Sequence, residues 1–176
     1  MNKTGALLPF LLLGVYTTCA QQGNNQIRIL AEVSVGEDAV QAGYGGYIKF
    51  LYGVGSSAQV TLTAGVKKSN EVARYKNTIR AVPVLLGYKQ NLRRFYAEPQ
   101  AGFGELGGRH DIGGDWARPS RGALFWALGA GYNFNRLDLG LRYQAADAVH
   151  KQGPAGSVYN RFDYFGLYAG YVLWRK

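Results

Sequence analysis

In LDLGLRYQ, residues 137–144, Leu137, Leu139, Leu141 and Tyr143 alternate strictly with Asp138, Gly140, Arg142 and Gln144. A strand puts the first set on one face and the second on the other, whereas a helix would scatter the leucines around its axis. The neighbouring ALFWALGAGYNF repeats the pattern. Leu124, Trp126, Leu128, Ala130, Tyr132 and Phe134 oppose Phe125, Ala127, Gly129, Gly131 and Asn133. YFGLYAGYVLW does so again, with Phe165, Leu167, Ala169, Tyr171 and Leu173 opposite Tyr164, Gly166, Tyr168, Gly170 and Val172.

Working back towards the start, IRILAEVSV sets Ile27, Ile29, Ala31, Val33 and Val35 against Arg28, Leu30, Glu32 and Ser34, and VTLTAGVK alternates in the same way. GYIKFLYG, RAVPVLLGYK and FYAEPQAGFG supply three more candidate strands, although Pro83 and Pro99 cannot donate to a ladder. The total is about eight strands. Their connections alternate in length. Residues 55–58, 91–94 and 135–136 read as tight turns. Residues 69–76, 107–121 and 148–160 read as long polar loops, and 37–41 as a shorter one. Composition agrees, since 25 glycines and 13 tyrosines in 176 residues favour strands over helices.

Alternation alone does not say which face meets solvent. The polar phase does, because it carries about one charge per strand (Arg28, Glu32, Lys49, Lys67, Lys89, Glu98, Asp138, Arg142) diluted by glycine. That is too sparse for a watered exterior and suits a narrow lumen where opposite charges pair. The five cations outnumber the three acids, so the lumen is expected to keep some water or a bound anion. Aromatics sort by height as well. Tyr52, Tyr88, Phe95, Tyr132, Phe134, Tyr171 and Trp174 lie near the tight turns, and Tyr44, Phe103, Trp126, Tyr143 and Phe165 near the long loops. Two such belts are what a bilayer's two interfaces select. The sequence therefore predicts an all-β, eight-stranded antiparallel up-and-down transmembrane β-barrel.

Residues 1–20 read as a cleaved signal peptide: Lys3, then the apolar run GALLPFLLLGV, then TTCA with cleavage after Ala20. The run is too short, and too broken by Pro9, for a spanning helix. Cys19, the only cysteine, falls inside this segment, with lipidation there as the alternative; Tyr16 sits where such sites usually carry Leu. Residues 21–176 then form one outer-membrane barrel domain without thiols. The net charge of +9 invites a nucleic-acid reading. No helix-turn-helix, zinc or RNP pattern accompanies it, so no nucleic-acid partner is expected.

The segments AVPVLLGYKQNLRRFYAEPQAGFG, FWALGAGYNFNRLDLGLRYQ and YFGLYAGYVLW resemble the small outer-membrane β-barrel family of Gram-negative envelopes, broadly OmpA/OmpX-like and porin-family-type. The resemblance spans nearly the whole mature chain. It implies a cell outer-membrane location, loops facing outside, and insertion by the barrel-assembly machinery. Such barrels commonly finish on an aromatic residue, whereas here Trp174 is followed by Arg175 and Lys176.

Candidate chemistry is thin. His110 and His150 are the only histidines and lack the spacing of a metal motif. No strand carries the histidine that a lipid-face triad would need. The glycine runs GFGELGG and GAGY lack the Gly-Lys-Ser/Thr of a phosphate loop. No catalytic residue, cofactor or metal is expected. Arg109, Arg118 and Arg121 gather in the longest polar stretch, where guanidinium groups could meet lipopolysaccharide phosphates. The expected function is a non-enzymatic structural or interaction barrel plugged by its own side chains. The alternatives are a small porin-like diffusion pore and, behind it, a lipid-modifying enzyme.

Overall fold

The computed structural model describes residues 24–36, 41–71, 78–110, 116–152 and 156–176, so the predicted signal segment and its boundary at Gln21 lie outside the described residues. Eight strands follow one another: β1 (Gln26–Gly36), β2 (Gln41–Gly53), β3 (Ala58–Glu71), β4 (Thr78–Leu92), β5 (Phe95–His110), β6 (Trp116–Phe134), β7 (Leu137–Gln152) and β8 (Gly156–Arg175). Each pairs antiparallel with its chain neighbour, and β1 pairs with β8 to close the barrel.

The register fixes the shape. Stepping across paired residues from Gln26 through Leu51, Thr61, Gly87, Gln100, Ala127, Gln144 and Tyr164 returns to Gly36. That is ten residues further along β1 than the start. Eight strands with this stagger lie tilted by about 35–45° and enclose a space that side chains can fill.

Local chemistry explains the details. The two-residue turns after β4 and β6 put their first residues, Arg93 (φ 61°) and Asn135 (φ 56°), in the left-handed region, which suits the twist of the flanking strands. Pro83 and Pro99 sit inside β4 and β5. The β3–β4 register skips from Ala64–Val84 to Lys67–Ala81 beside Pro83, and the β4–β5 register skips from Gly87–Gln100 to Gln90–Ala97 beside Pro99. Each proline thus interrupts pairing on one side and keeps its other neighbour, Gly104 for Pro83 and Leu128 for Pro99. A bulge between Ile27 and Arg28 pairs Ile27 with Trp174 and Arg28 with Val172. Trp174 therefore shares the outward face of Ile27, next to the likewise exposed Leu173.

The outer wall is apolar. Ile29, Val33, Ile48, Leu62, Val84, Leu86, Leu128, Leu139, Leu141 and Leu167 all stand exposed on it. The aromatics frame this band. Phe95 meets Tyr132 edge-on at 5.1 Å near the tight turns, and Trp126, Tyr143 and Phe165 stack in sequence at 5.3 and 4.9 Å near the other end. Phe95 and Phe103 are eight residues apart on β5, ~20 Å along the axis at ordinary strand rise and tilt. Exposed Lys68, Arg80 and Glu105 lie beyond the upper belt, and exposed Arg93, Arg94, Arg136 and Arg175 beyond the lower one.

Among the described residues, strand pairing extends into the stretches expected as long loops. β3 runs to Glu71 and β4 starts at Thr78; β5 runs to His110 and β6 starts at Trp116; β7 runs to Gln152 and β8 starts at Gly156. Polar, Gly-rich composition marks where the chain leaves an apolar medium, but backbone pairing continues past that level without apolar side chains. His110 and His150 consequently belong to strands β5 and β7, and their side chains lie outside the described residues.

Candidate functional site

The inward phase of alternation carries all eight charges, Arg28, Glu32, Lys49, Lys67, Lys89, Glu98, Asp138 and Arg142, into the lumen, where none is more than 4% exposed. They gather into three carboxylate-centred groups. Asp138 on β7 takes Arg28 from β1, Lys89 from β4 (3.4 Å) and the Tyr96 hydroxyl from β5. Glu98 on β5 accepts from Lys49 Nζ at 2.7 Å, Thr61 Oγ1 at 2.6 Å and Gln100 Nε2 at 2.9 Å. Glu32 on β1 holds Lys67 Nζ at 2.9 Å, Arg142 from β7 and the Tyr47 hydroxyl at 3.5 Å. Asn133 joins the first group by accepting from both Arg28 (3.1 Å) and Lys89 (3.2 Å).

The excess of cations meets tyrosine faces. Lys89 Nζ stands 3.4 Å from the centre of the Tyr96 ring, Lys67 Nζ 3.6 Å from that of Tyr164, and the Arg142 guanidinium carbon 4.2 Å from that of Tyr47. The negative ring face supplies part of what a fourth or fifth carboxylate would, and a desolvated cation–π contact contributes about 2 kcal/mol. Glycine makes room for these rings. Tyr96 pairs with Gly131, Gly131 with Gly140, and Gly140 with Tyr168. A Cβ on Gly140 would lie 2.6 Å from the Tyr168 ring and hydroxyl. The hydroxyls of Tyr96 and Tyr168 bond each other there, so ring, glycine and Asp138 form one unit.

Towards the loop end the lumen turns apolar. Leu85 and Ala81 lie beyond Lys89 on β4, Leu106 beyond Glu98 on β5, and Phe125 and Ala123 beyond Gly129 on β6. These residues pack with Ala127 and Ala146, flanked by Ile79 and Phe162. Among the described residues, four buried side-chain polar atoms have no hydrogen-bond partner: Nε2 and Oε1 of Gln144, the hydroxyl of its cross-strand neighbour Tyr164, and Nε of Arg142.

The inward tyrosines, Thr61, Gln100 and Asn133 were not singled out from sequence. Their signal was present, since each sits on the glycine-bearing phase of its strand. At the loop end of the β5–β6 hairpin Arg109 pairs with Ala117, Arg118 with Gly108 and Arg121 with Leu106; the arginine side chains lie outside the described residues. Among the described residues no group of three or more His, Cys, Asp or Glu is placed to hold a metal ion.

No protein-family model and no curated protein matches the sequence. Solved structures do match the fold. Ail of Yersinia pestis, the attachment invasion locus protein, superposes with a TM-score of 0.59 at 16% identity, covering 86% of this chain and 99% of that one. The N-terminal β-barrel domain of Pseudomonas aeruginosa OprF gives 0.59 at 17% identity over 86% and 100%. Neisserial surface protein A gives 0.55 at 12% identity over 84% and 95%. The fold is that of the small eight-stranded outer-membrane barrels.

Proposed function

We propose that the chain is an integral protein of the bacterial outer membrane with a non-enzymatic structural or interaction role, its tight turns in the periplasm and its loop end outside. The apolar outer wall between two aromatic belts supports the location. The observation that carries the closed, non-conducting reading is the lumen itself. Three carboxylate-centred ion groups and an apolar cluster fill it from β1 to β8. Among the described residues the three buried carboxylates are all engaged by cations, which leaves none of them poised as a general base. Arg109, Arg118 and Arg121 suit contact with lipopolysaccharide phosphates at the outer end, and insertion falls to the barrel-assembly machinery.

Planar-bilayer recording of the purified protein at neutral pH tests the closed lumen. A flat baseline is expected. Regular nanosiemens openings would overturn it and make the chain a diffusion pore.

A further inference from the structure

The outer wall is not uniformly bulky. A groove of about 910 Å³ runs up it from the lower belt, walled by Phe95, Tyr132, Leu139 and Leu167 and floored by Ala130 and Ala169. The register explains the depression. Tyr132 faces Leu139, Leu139 faces Ala169, and Ala169 faces Ala31, so large residues on one side give way to methyl groups on the other. The groove's lower end is capped by charge, with the exposed Arg94 donating to the Tyr132 hydroxyl at 3.1 Å. Arg136 stands in the next turn, and Arg175 reaches the Asn135 carbonyl of that turn at 3.4 Å. Among the described residues no exposed carboxylate lies at this end; Asp138 and Glu98 face the lumen, and Glu105, Asp147 and Asp163 lie towards the loops.

We propose that this groove and its arginine rim form a site for an anionic phospholipid of the leaflet facing the tight turns, with its phosphate on Arg94 and Arg136 and an acyl chain along Ala130 and Ala169. The inference rests on the membrane reading above and adds a ligand to it. The apolar slot fits a hydrocarbon chain. The hydroxyl–guanidinium pair at its mouth sits at the depth where a phosphate ester links head to tail, and guanidinium favours phosphate geometrically as well as by charge. A zwitterionic lipid would fill the slot equally well, but the ammonium of its headgroup offsets its phosphate and itself meets the arginine rim with like charge.

The test uses the whole mature chain inserted into vesicles of equal phosphatidylglycerol and phosphatidylcholine with identical acyl chains. Protease protection scores insertion, and native mass spectrometry of the extracted barrel scores retained lipid. Phosphatidylglycerol should be enriched about 25-fold over phosphatidylcholine, from about fivefold for each of the two engaged cations. Arg94→Glu with Arg136→Glu should erase the preference, and Ala130→Trp should lower retention of both lipids. Ala169→Leu serves the same purpose if the tryptophan variant does not fold. An inserted barrel that retains the two lipids equally, or whose preference survives Arg94→Glu with Arg136→Glu, overturns the site and leaves the membrane reading standing. Failure to insert at all overturns both.

Discussion

Glu98 accepts from Lys49, Thr61 and Gln100, and both it and Lys49 are buried, so its removal strands a buried ammonium. Glu98→Ala should lower stability by about 3–5 kcal/mol, whereas Lys49→Met combined with Glu98→Leu should recover most of that loss. Urea midpoints of vesicle-inserted protein decide it, and equal losses for the single and double variants would mean that the stranded ammonium is not the source of the cost. Gly140 tests the other half of the arrangement. A methyl there must displace Tyr168 and with it the hydroxyl chain to Asp138. Gly140→Ala should therefore cost about 1–3 kcal/mol, the usual range for overpacking. An unchanged midpoint would show that the ring moves aside freely.

At the scale of the element, β8 offers an internal ruler, because Leu167 and Leu173 both face outward but at different heights. Leu167 is mid-wall, while Leu173 stands beside Trp174 at the lower belt. Leu167→Arg should cost about 2–4 kcal/mol and Leu173→Arg about 0–1, since arginine is penalised by depth in hydrocarbon. Similar costs at both positions would mean that the wall does not face lipid. The alternation made the strands and their faces legible in sequence, and it needed no knowledge of partners. Strand ends were less legible. Residues 107–121 look like a loop because their side chains are polar and small, yet ladder bonds depend on backbone alone. The sequence places Trp174 at the height of the tight turns, and only the bulge explains how an even-numbered residue shares a face with Leu173.

For the whole molecule, sequence alone supplied the eight inward charges as a set but not their partners. Period-two reasoning places a residue on a face and says nothing about what stands across the lumen. Pairings such as Arg28 with Asp138 and Glu32 with Arg142 depend on closure and stagger, which are properties of the assembled sheet. The tyrosine faces under Lys67, Lys89 and Arg142 were hidden for the same reason, because each ring and its cation come from different strands.

Those cross-lumen pairs also constrain the order of events during assembly. Arg28 and Glu32 wait for partners 110 residues later in the chain. Glu32 meets Lys67 once β3 is in place, but until β7 arrives Arg28 carries an uncompensated charge on the face opposite the valines and isoleucines of β1. A partly built sheet therefore has no resting place in hydrocarbon, and closure rewards the chain only at the end. Loop-closure entropy is spent early and recovered late, which makes insertion slow and all-or-none. It also leaves the incomplete chain dependent on whatever shields its polar face in the meantime.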